Sequence, residues 1–233
     1  MAHDHEFARV AISAVAAVEA DGLYRFFHAG DEETIALAGV TLNVATGELV
    51  AVVGPSGSGK STLLACLAGL DEPDGGTVRI AGETMTRRPE ARRAALRARC
   101  VGLLLQANNL FDHLGVRDNL RLAQCLAGGP APVDADRLLD ELGLVERATA
   151  WPATLSGGEA ARAGLALALA NDPIVLLADE PTGELDLATA EHIVGLLADY
   201  ARDGHAVIIA SHSDAIAARA DRVVFLTDGR LSA

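Results

Sequence analysis

The sequence predicts an α/β fold built around a largely parallel sheet. Three observations carry that expectation. From Val40 onward, short β-rich runs alternate with helical patterns, the alternation that strands and covering helices produce. A glycine-rich turn, GPSGSGKST at 54–62, joins an apolar run to an apolar helix. Two nearly continuous apolar runs, 174–178 and 206–210, have the character of central parallel strands covered on both faces.

In chain order, ELVAVVG (48–54) reads as the first core strand, followed by a helix from about Gly59. GTVRIAG (76–82) reads as a strand, PEARRAALRAR (89–99) as a helix and CVGLLLQ (100–106) as a strand. Between about 108 and 171 strand signals nearly vanish; VRDNLRLAQCLAG and ADRLLDELGLVERA show helical spacing, so a helical subdomain inserted in the α/β core is expected. Gly128 to Pro132 is a turn between two helices, too short to be an interdomain linker. PIVLLAD (173–179) then returns as strand, 188–204 as helix, and HAVIIASH and RVVFLTDGRL as strands. One domain over residues 1–233 is expected.

Composition narrows the function classes. Acidic residues number 32 against 19 basic, a formal charge of -13, which opposes attraction to phosphate backbones and argues against nucleic acid as partner. The start MAHDHEFARV has neither the basic opening nor the apolar run of a secretory signal. No window reaches the ~20 apolar residues of a membrane span, so a membrane role requires a partner. Cys66, Cys100 and Cys125 are widely spaced and read as buried small apolar residues. His3 and His5 read as part of a solvated terminus rather than a metal clip.

The turn at 54–61 has the form G-x-x-x-x-G-K-[ST] in the strand-to-helix context of a phosphate-binding loop. Gly54, Gly57 and Gly59 let backbone N–H groups approach an anion, Lys60 reaches the β- and γ-phosphates, and the Ser61 hydroxyl serves Mg²⁺. A second feature is IVLLADEPT, a buried strand ending in two carboxylates. Asp179 at its end is placed to hold Mg²⁺ and Glu180 to take a proton from attacking water. A third is LSGGE (155–159), where Ser156 caps a helix and Gly157 and Gly158 leave its end open to an anion.

Together these marks resemble the nucleotide-binding domain of ATP-binding cassette proteins, over nearly the whole chain. The resemblance implies a RecA-like parallel-sheet core, an N-terminal antiparallel β subdomain and an inserted α-helical subdomain carrying the signature. Walker A stands at 54–61, the Q-loop at Gln106, the signature at 155–159, Walker B at 175–179, the catalytic carboxylate at Glu180, the D-loop aspartate at Asp186 and the switch histidine at His212. It implies ATP and Mg²⁺ as cofactors, bound by Gly54, Pro55, Ser56, Gly57, Ser58, Gly59, Lys60, Ser61 and Thr62, with Gln106 and Asp179 also at the metal. It further implies an ATP-dependent head-to-tail homodimer in which Ser156, Gly157 and Gly158 act across the interface. Among the upstream aromatics of YRFFHAG, the spacing favours Phe27 for stacking on adenine, with Tyr24 and Phe26 as alternatives.

Two departures are visible. Arg162 is kept in the helix after the signature, but Leu167 stands where a second arginine is usual, and the switch reads Ser-His-Ser-Asp in place of Thr-His-Asp. GLDEPDGG, LADEPTGELD and GDEETIAL resemble the branch that drives lipoprotein release, macrolide efflux and the FtsE-type cell-division complex. That likeness implies an integral membrane permease as partner and a cytoplasmic place on the inner face of the membrane. The alternatives are a soluble assembly ATPase of the iron–sulfur scaffold type and a cassette of DNA repair or translation. For the latter the stretch from Ser61 to Leu155 is too short to hold a long coiled coil. Six arginines at 87–99 read as a solvated helix face, with lipid head groups or a partner as the other reading.

Overall fold

The structure is a computed structural model that describes residues 16–29, 32–183 and 185–232. His3 and His5 lie outside the described residues. The chain begins with two long strands, β1 (Ala16–Ala29) and β2 (Glu32–Ala45), then β3 (Leu49–Val53), helix α1 (Lys60–Leu67), β4 (Gly75–Ile80) and β5 (Glu83–Thr84). Helix α2 (Glu90–Cys100) and β6 (Val101–Leu104) follow, and three helices, α3 (Val116–Ala127), α4 (Ala135–Glu141) and α5 (Gly157–Leu169), come before β7 (Val175–Asp179). The chain closes with α6 (Leu187–Arg202), β8 (Ala206–Ser211), α7 (Asp214–Ala217), β9 (Arg222–Thr227) and β10 (Arg230–Ser232).

The larger sheet has the order β10-β9-β3-β8-β7-β6. Its pairs β9–β3, β3–β8, β8–β7 and β7–β6 are parallel. All six residues of β8 are buried, as the apolar run at 206–210 predicts. Successive side chains go to opposite faces: Val50, Val52, Val175, Leu177 and Ile208 join one core, and Ala51, Leu176, Val207 and Ile209 the other. Each fully buried Val, Leu or Ile contributes about 1.5–3 kcal/mol. The result is a stiff platform whose strand ends hold the loops that follow them.

A second, antiparallel sheet has the order β2-β1-β4-β5. Arg25 pairs with Leu37 but Phe26 with Ile35, so Ala36 is an extra residue on β2, a β-bulge that turns its carbonyl out of the ladder. That carbonyl lies against the glycine-rich turn: a Cβ on Gly59 would sit 2.3 Å from Ala36 O, and Gly59 also has φ 104°. Only glycine fits there. The opposite end of the turn is equally closed, since a Cβ on Gly54 would meet Leu226 O at 2.1 Å.

The helices between β6 and β7 form as their periodicity predicts, and Gly128 to Pro132 falls in the turn joining α3 to α4. Asp134 caps α4 by accepting from the N–H groups of Asp136 and Arg137. Within α3 the polar and apolar expectations are exchanged. Gln124 is buried, its amide donating to Val133 O at 2.8 Å and Ala170 O at 2.9 Å, and Cys125 faces out. Cys66 and Cys100 are buried as read, but Cys125 is not. Burial pushes the Cys66 thiol up to about 12, which leaves no reactive thiolate at neutral pH. At pH 8 a maleimide is therefore expected to label Cys125 in the folded protein and Cys66 only after unfolding. Peptide mass spectrometry distinguishes these outcomes, and native labelling of Cys66 would contradict the packing.

The arginine-rich helix α2 is largely neutralised within the chain. Arg93 pairs with Glu72 and Glu90, Arg97 with Glu90, and Arg99 with Glu83. Among the described residues no helix is long and apolar enough to cross a membrane.

Candidate functional site

The carboxyl ends of β3, β7 and β8 open onto one cleft of about 750 Å³, the edge at which open α/β sheets bind ligands. Its floor is the turn after β3. Gly54, Pro55, Ser56, Gly57, Gly59, Lys60, Ser61 and Thr62 all line it. Ser58 does not; it is buried beneath the turn, and its carbonyl accepts from Gly229 N at 3.2 Å, tying the turn to the hairpin of β9 and β10. Gly57 has φ 79° and open space where a Cβ would stand, so backbone conformation rather than crowding selects glycine there.

Lys60 opens α1 and its ammonium donates to the carbonyls of Gly54 at 2.7 Å and Pro55 at 3.1 Å. The positive end of that helix and its free N–H groups face the cleft beside it. The donor set and the space suit a polyphosphate, and the oxygens of Ser61 and Asp179 lining the same cleft suit a hard divalent cation.

Glu180 follows β7 in a left-handed conformation, φ 46°, a costly geometry for a residue with a Cβ. Several bonds hold it there. Its N–H donates to Ala210 O at 2.9 Å, Oε2 accepts from Ser211 Oγ at 3.0 Å, and Oε1 meets His212 Nδ1 at 2.8 Å. The Glu180 side chain is 17% exposed and that of His212 75%, so a mostly sheltered carboxylate is paired with an open imidazole on the wall of the same cleft. Ser211 is fixed in turn, because its Oγ accepts from Ser213 N at 3.1 Å.

Phe27, on β1, forms the far wall of the cleft, with Thr34 and Ala36 of β2 beside it. Tyr24 and Phe26 stack on each other, centroids 6.2 Å apart, and do not line the cleft. Gln106 stands on a wall common to this cleft and to a neighbouring groove of about 320 Å³, the latter bounded also by Asn109, Pro152 and Gly157. The segment holding Gln106 is stapled by Asn109, whose side chain accepts from Leu105 N and donates to Leu105 O, both at 2.8 Å.

Ser156, Gly157, Gly158 and Asp186 are not in the cleft. Ser156 and Glu159 form a reciprocal capping box at the start of α5. The Ser156 N–H, the Arg147 guanidinium and the Ser156 hydroxyl lower the Glu159 carboxyl to about 2. A Cβ on Gly157 would meet nothing within 4 Å, so this helix end is open to approach. Asp186 caps α6, accepting from Thr189 N at 3.1 Å and Thr189 Oγ1 at 2.6 Å.

Sequence reasoning did not single out Thr34, Ala36, Gly183 or Ser211. Thr34 and Ala36 are two apart on one strand of the GDEETIAL stretch, and Ser211 directly precedes His212, so their positions carried a signal. Gly183 lies in the turn after Glu180 and lines the cleft through backbone, which no side-chain pattern announces.

A glycine-walled turn closing into a helix at the carboxyl edge of a parallel sheet, with adjacent carboxylates on a neighbouring strand end, defines a P-loop nucleoside triphosphatase. The chain belongs to the ABC transporter family, whose profile matches residues 37–183, and is an ATP-binding, ATP-hydrolysing cassette of that family. Its relatives include the lipoprotein-releasing system ATP-binding protein LolD of Maricaulis maris, 41% identical over 219 residues and covering 92% of this chain and 96% of that one. The macrolide export ATP-binding/permease protein MacB 1 of Aeromonas hydrophila is 41% identical over 219 residues, covering 93% of this chain and 34% of its own length. The chain thus spans nearly all of LolD and about a third of MacB. The ATP-binding cassette MJ0796, solved as a dimer in a post-hydrolysis state bound to ADP and Pi, superposes with TM-score 0.85 at 32% identity, covering 93% of this chain and 97% of that chain.

Proposed function

We propose that two copies of this cassette associate head to tail around ATP and drive a separate integral membrane permease, with each ATP held between the Walker A loop of one copy and the Ser156 to Gly158 terminus of the other. The observation that carries this reading is the division of the machinery within one chain. Phe27, Lys60, Ser61, Asp179, Glu180 and His212 share a cleft, while Ser156, Gly157 and Gly158 lie outside it at a helix start that is open at Gly157 and closed by Thr189 beside Gly158. A second copy supplies what the cleft lacks.

In this reading adenine stacks on Phe27, and Lys60 exchanges its Gly54 and Pro55 carbonyls for phosphate oxygens. Ser61, Asp179 and Gln106 would hold Mg²⁺, which would supply positive charge to offset that of the phosphates. Glu180 takes the proton of the attacking water, a role that contributes typically 10²- to 10⁴-fold in rate. Ser211 and His212 orient its two oxygens, and His212 also meets the γ-phosphate. Gln106, on the wall common to cleft and groove, conveys closure to the helical region at 108–171. Leu105 lines that groove, Phe111 and Trp151 adjoin its lining residues in the chain, and all three are exposed; they suit docking to a permease, and in this reading the cassette sits on the cytoplasmic face of the membrane. The names LolD and MacB support release or export as the driven process, with the substrate set by the permease.

A mixing experiment tests the composite site. Lys60→Ala removes the Walker A cation, and Gly157→Asp sets a carboxylate at the signature where the fold has room for it. Each variant alone is expected to be nearly inactive. A one-to-one mixture should regain turnover, because a heterodimer carries one site with both halves intact. No recovery on mixing, with both variants folded, would assign the signature to its own chain's site or to none.

A further inference from the structure

We propose that Arg25 is a positioning residue for the nucleotide base: held by Asp71 and Asp74, its guanidinium backs one face of the Phe27 ring and keeps that ring set for adenine. The inference rests on the reading of Phe27 given above. It also finds a use for the GLDEPDGG stretch, which no part of the phosphate machinery employs.

The geometry is specific. The guanidinium carbon lies 4.6 Å from the Phe27 centroid. Arg25 donates to both oxygens of Asp71, Nε to Oδ2 at 2.8 Å and Nη2 to Oδ1 at 3.0 Å. Its Nη1 donates to Asp74 Oδ2 and to Phe26 O, each at 3.1 Å. Asp74 grips the strand on either side of the arginine, because Oδ2 also accepts from Phe26 N at 2.8 Å and Asp74 N donates to Tyr24 O at 2.9 Å. Bonding to the Phe26 N–H, then to Arg25, holds the Asp74 carboxyl below the usual carboxylate range.

Each part has a physical reason. A two-toothed carboxylate pair requires a planar fork, which arginine has and lysine lacks. A phenylalanine 43% exposed on a strand would otherwise move between rotamers and lose that freedom on binding a base. A cation fixed on one face selects the rotamer in advance and leaves the other face for a second planar group. The acids follow α1, the helix that Lys60 opens, so the clamp joins the wall that receives the base to the element that receives the phosphates.

The test measures affinity for ADP and for inorganic tripolyphosphate, which has no base, by calorimetry on the full chain. Phe27→Ala is expected to weaken ADP and spare tripolyphosphate. Arg25→Met should do the same by about fivefold for ADP, and should add nothing when Phe27 is already alanine. Arg25→Lys keeps the charge without the fork and should recover only part of the loss. Equal weakening of ADP and tripolyphosphate by Arg25→Met and Arg25→Lys would make the clamp a structural brace only and overturn the proposal. So would unchanged ADP affinity in both arginine variants while Phe27→Ala binds weakly. If Phe27→Ala itself binds ADP normally, the assignment of Phe27 falls and this inference falls with it.

Discussion

Glu180→Gln is expected to bind Mg-ATP, assemble into a stable dimer and turn over 10²- to 10⁴-fold more slowly than the parent. The amide has the shape of the carboxylate and keeps a partner for the Ser211 hydroxyl, which lies 3.0 Å from Oε2. The backbone at φ 46° is unaltered, so the fold and the cleft should survive. What disappears is an oxygen basic enough to take a proton from water, together with one negative charge beside the phosphates. On the proposed mechanism, loss of the base should stop chemistry and loss of the charge should favour the closed pair. Phosphate release reads the first effect and light scattering on a sizing column the second. Unchanged turnover would place the base elsewhere, and a strictly monomeric protein in saturating Mg-ATP would remove the dimer from the mechanism.

Lys60→Ala should fail earlier, at binding. Charge-assisted bonds are worth about 1.5–3 kcal/mol, so affinity for ATP is expected to fall about 10- to 150-fold. In the structure the ammonium spans the Gly54 and Pro55 carbonyls at the cleft floor, within a short side-chain movement of any anion bound over the turn. Titration calorimetry with ATP and ADP gives the loss directly. An affinity equal to the parent's would mean that backbone amides and helix dipole alone hold the nucleotide. The two variants should separate cleanly, one losing rate with affinity kept and the other losing affinity.

Much of the fold and the site is legible in the sequence, for identifiable physical reasons. The strands at 175–178 and 206–210 are buried on both faces, so nothing interrupts their apolar runs, although Ile174, expected in the first of them, stands exposed just ahead of it; the turn at 54–61 is so constrained that its chemistry is its sequence. The long pair β1 and β2 gave no comparable pattern; register shifts between Ala20 and Leu23 and between Arg25 and Phe26 break the two-residue alternation, and only the family resemblance announced an antiparallel sheet. Cys125 was misread because Gln124 finds two carbonyls inside, which makes the amide the better buried group. The supports of Phe27 and Glu180 were invisible for a further reason. Arg25 on β1 reaches Asp71 after α1, and Ser211 on β8 reaches Glu180 after β7, only once segments distant in the chain have been brought together.

The left-handed backbone of Glu180 has an evolutionary edge. Glycine would occupy that turn at no steric cost, and where the relief of about 1–3 kcal/mol of local strain exceeds the lost bonds to Ser211 and His212, thermal endurance and turnover pull this codon in opposite directions. A lineage screened for heat tolerance alone should drift toward glycine here and arrive at a hardier protein that no longer burns fuel.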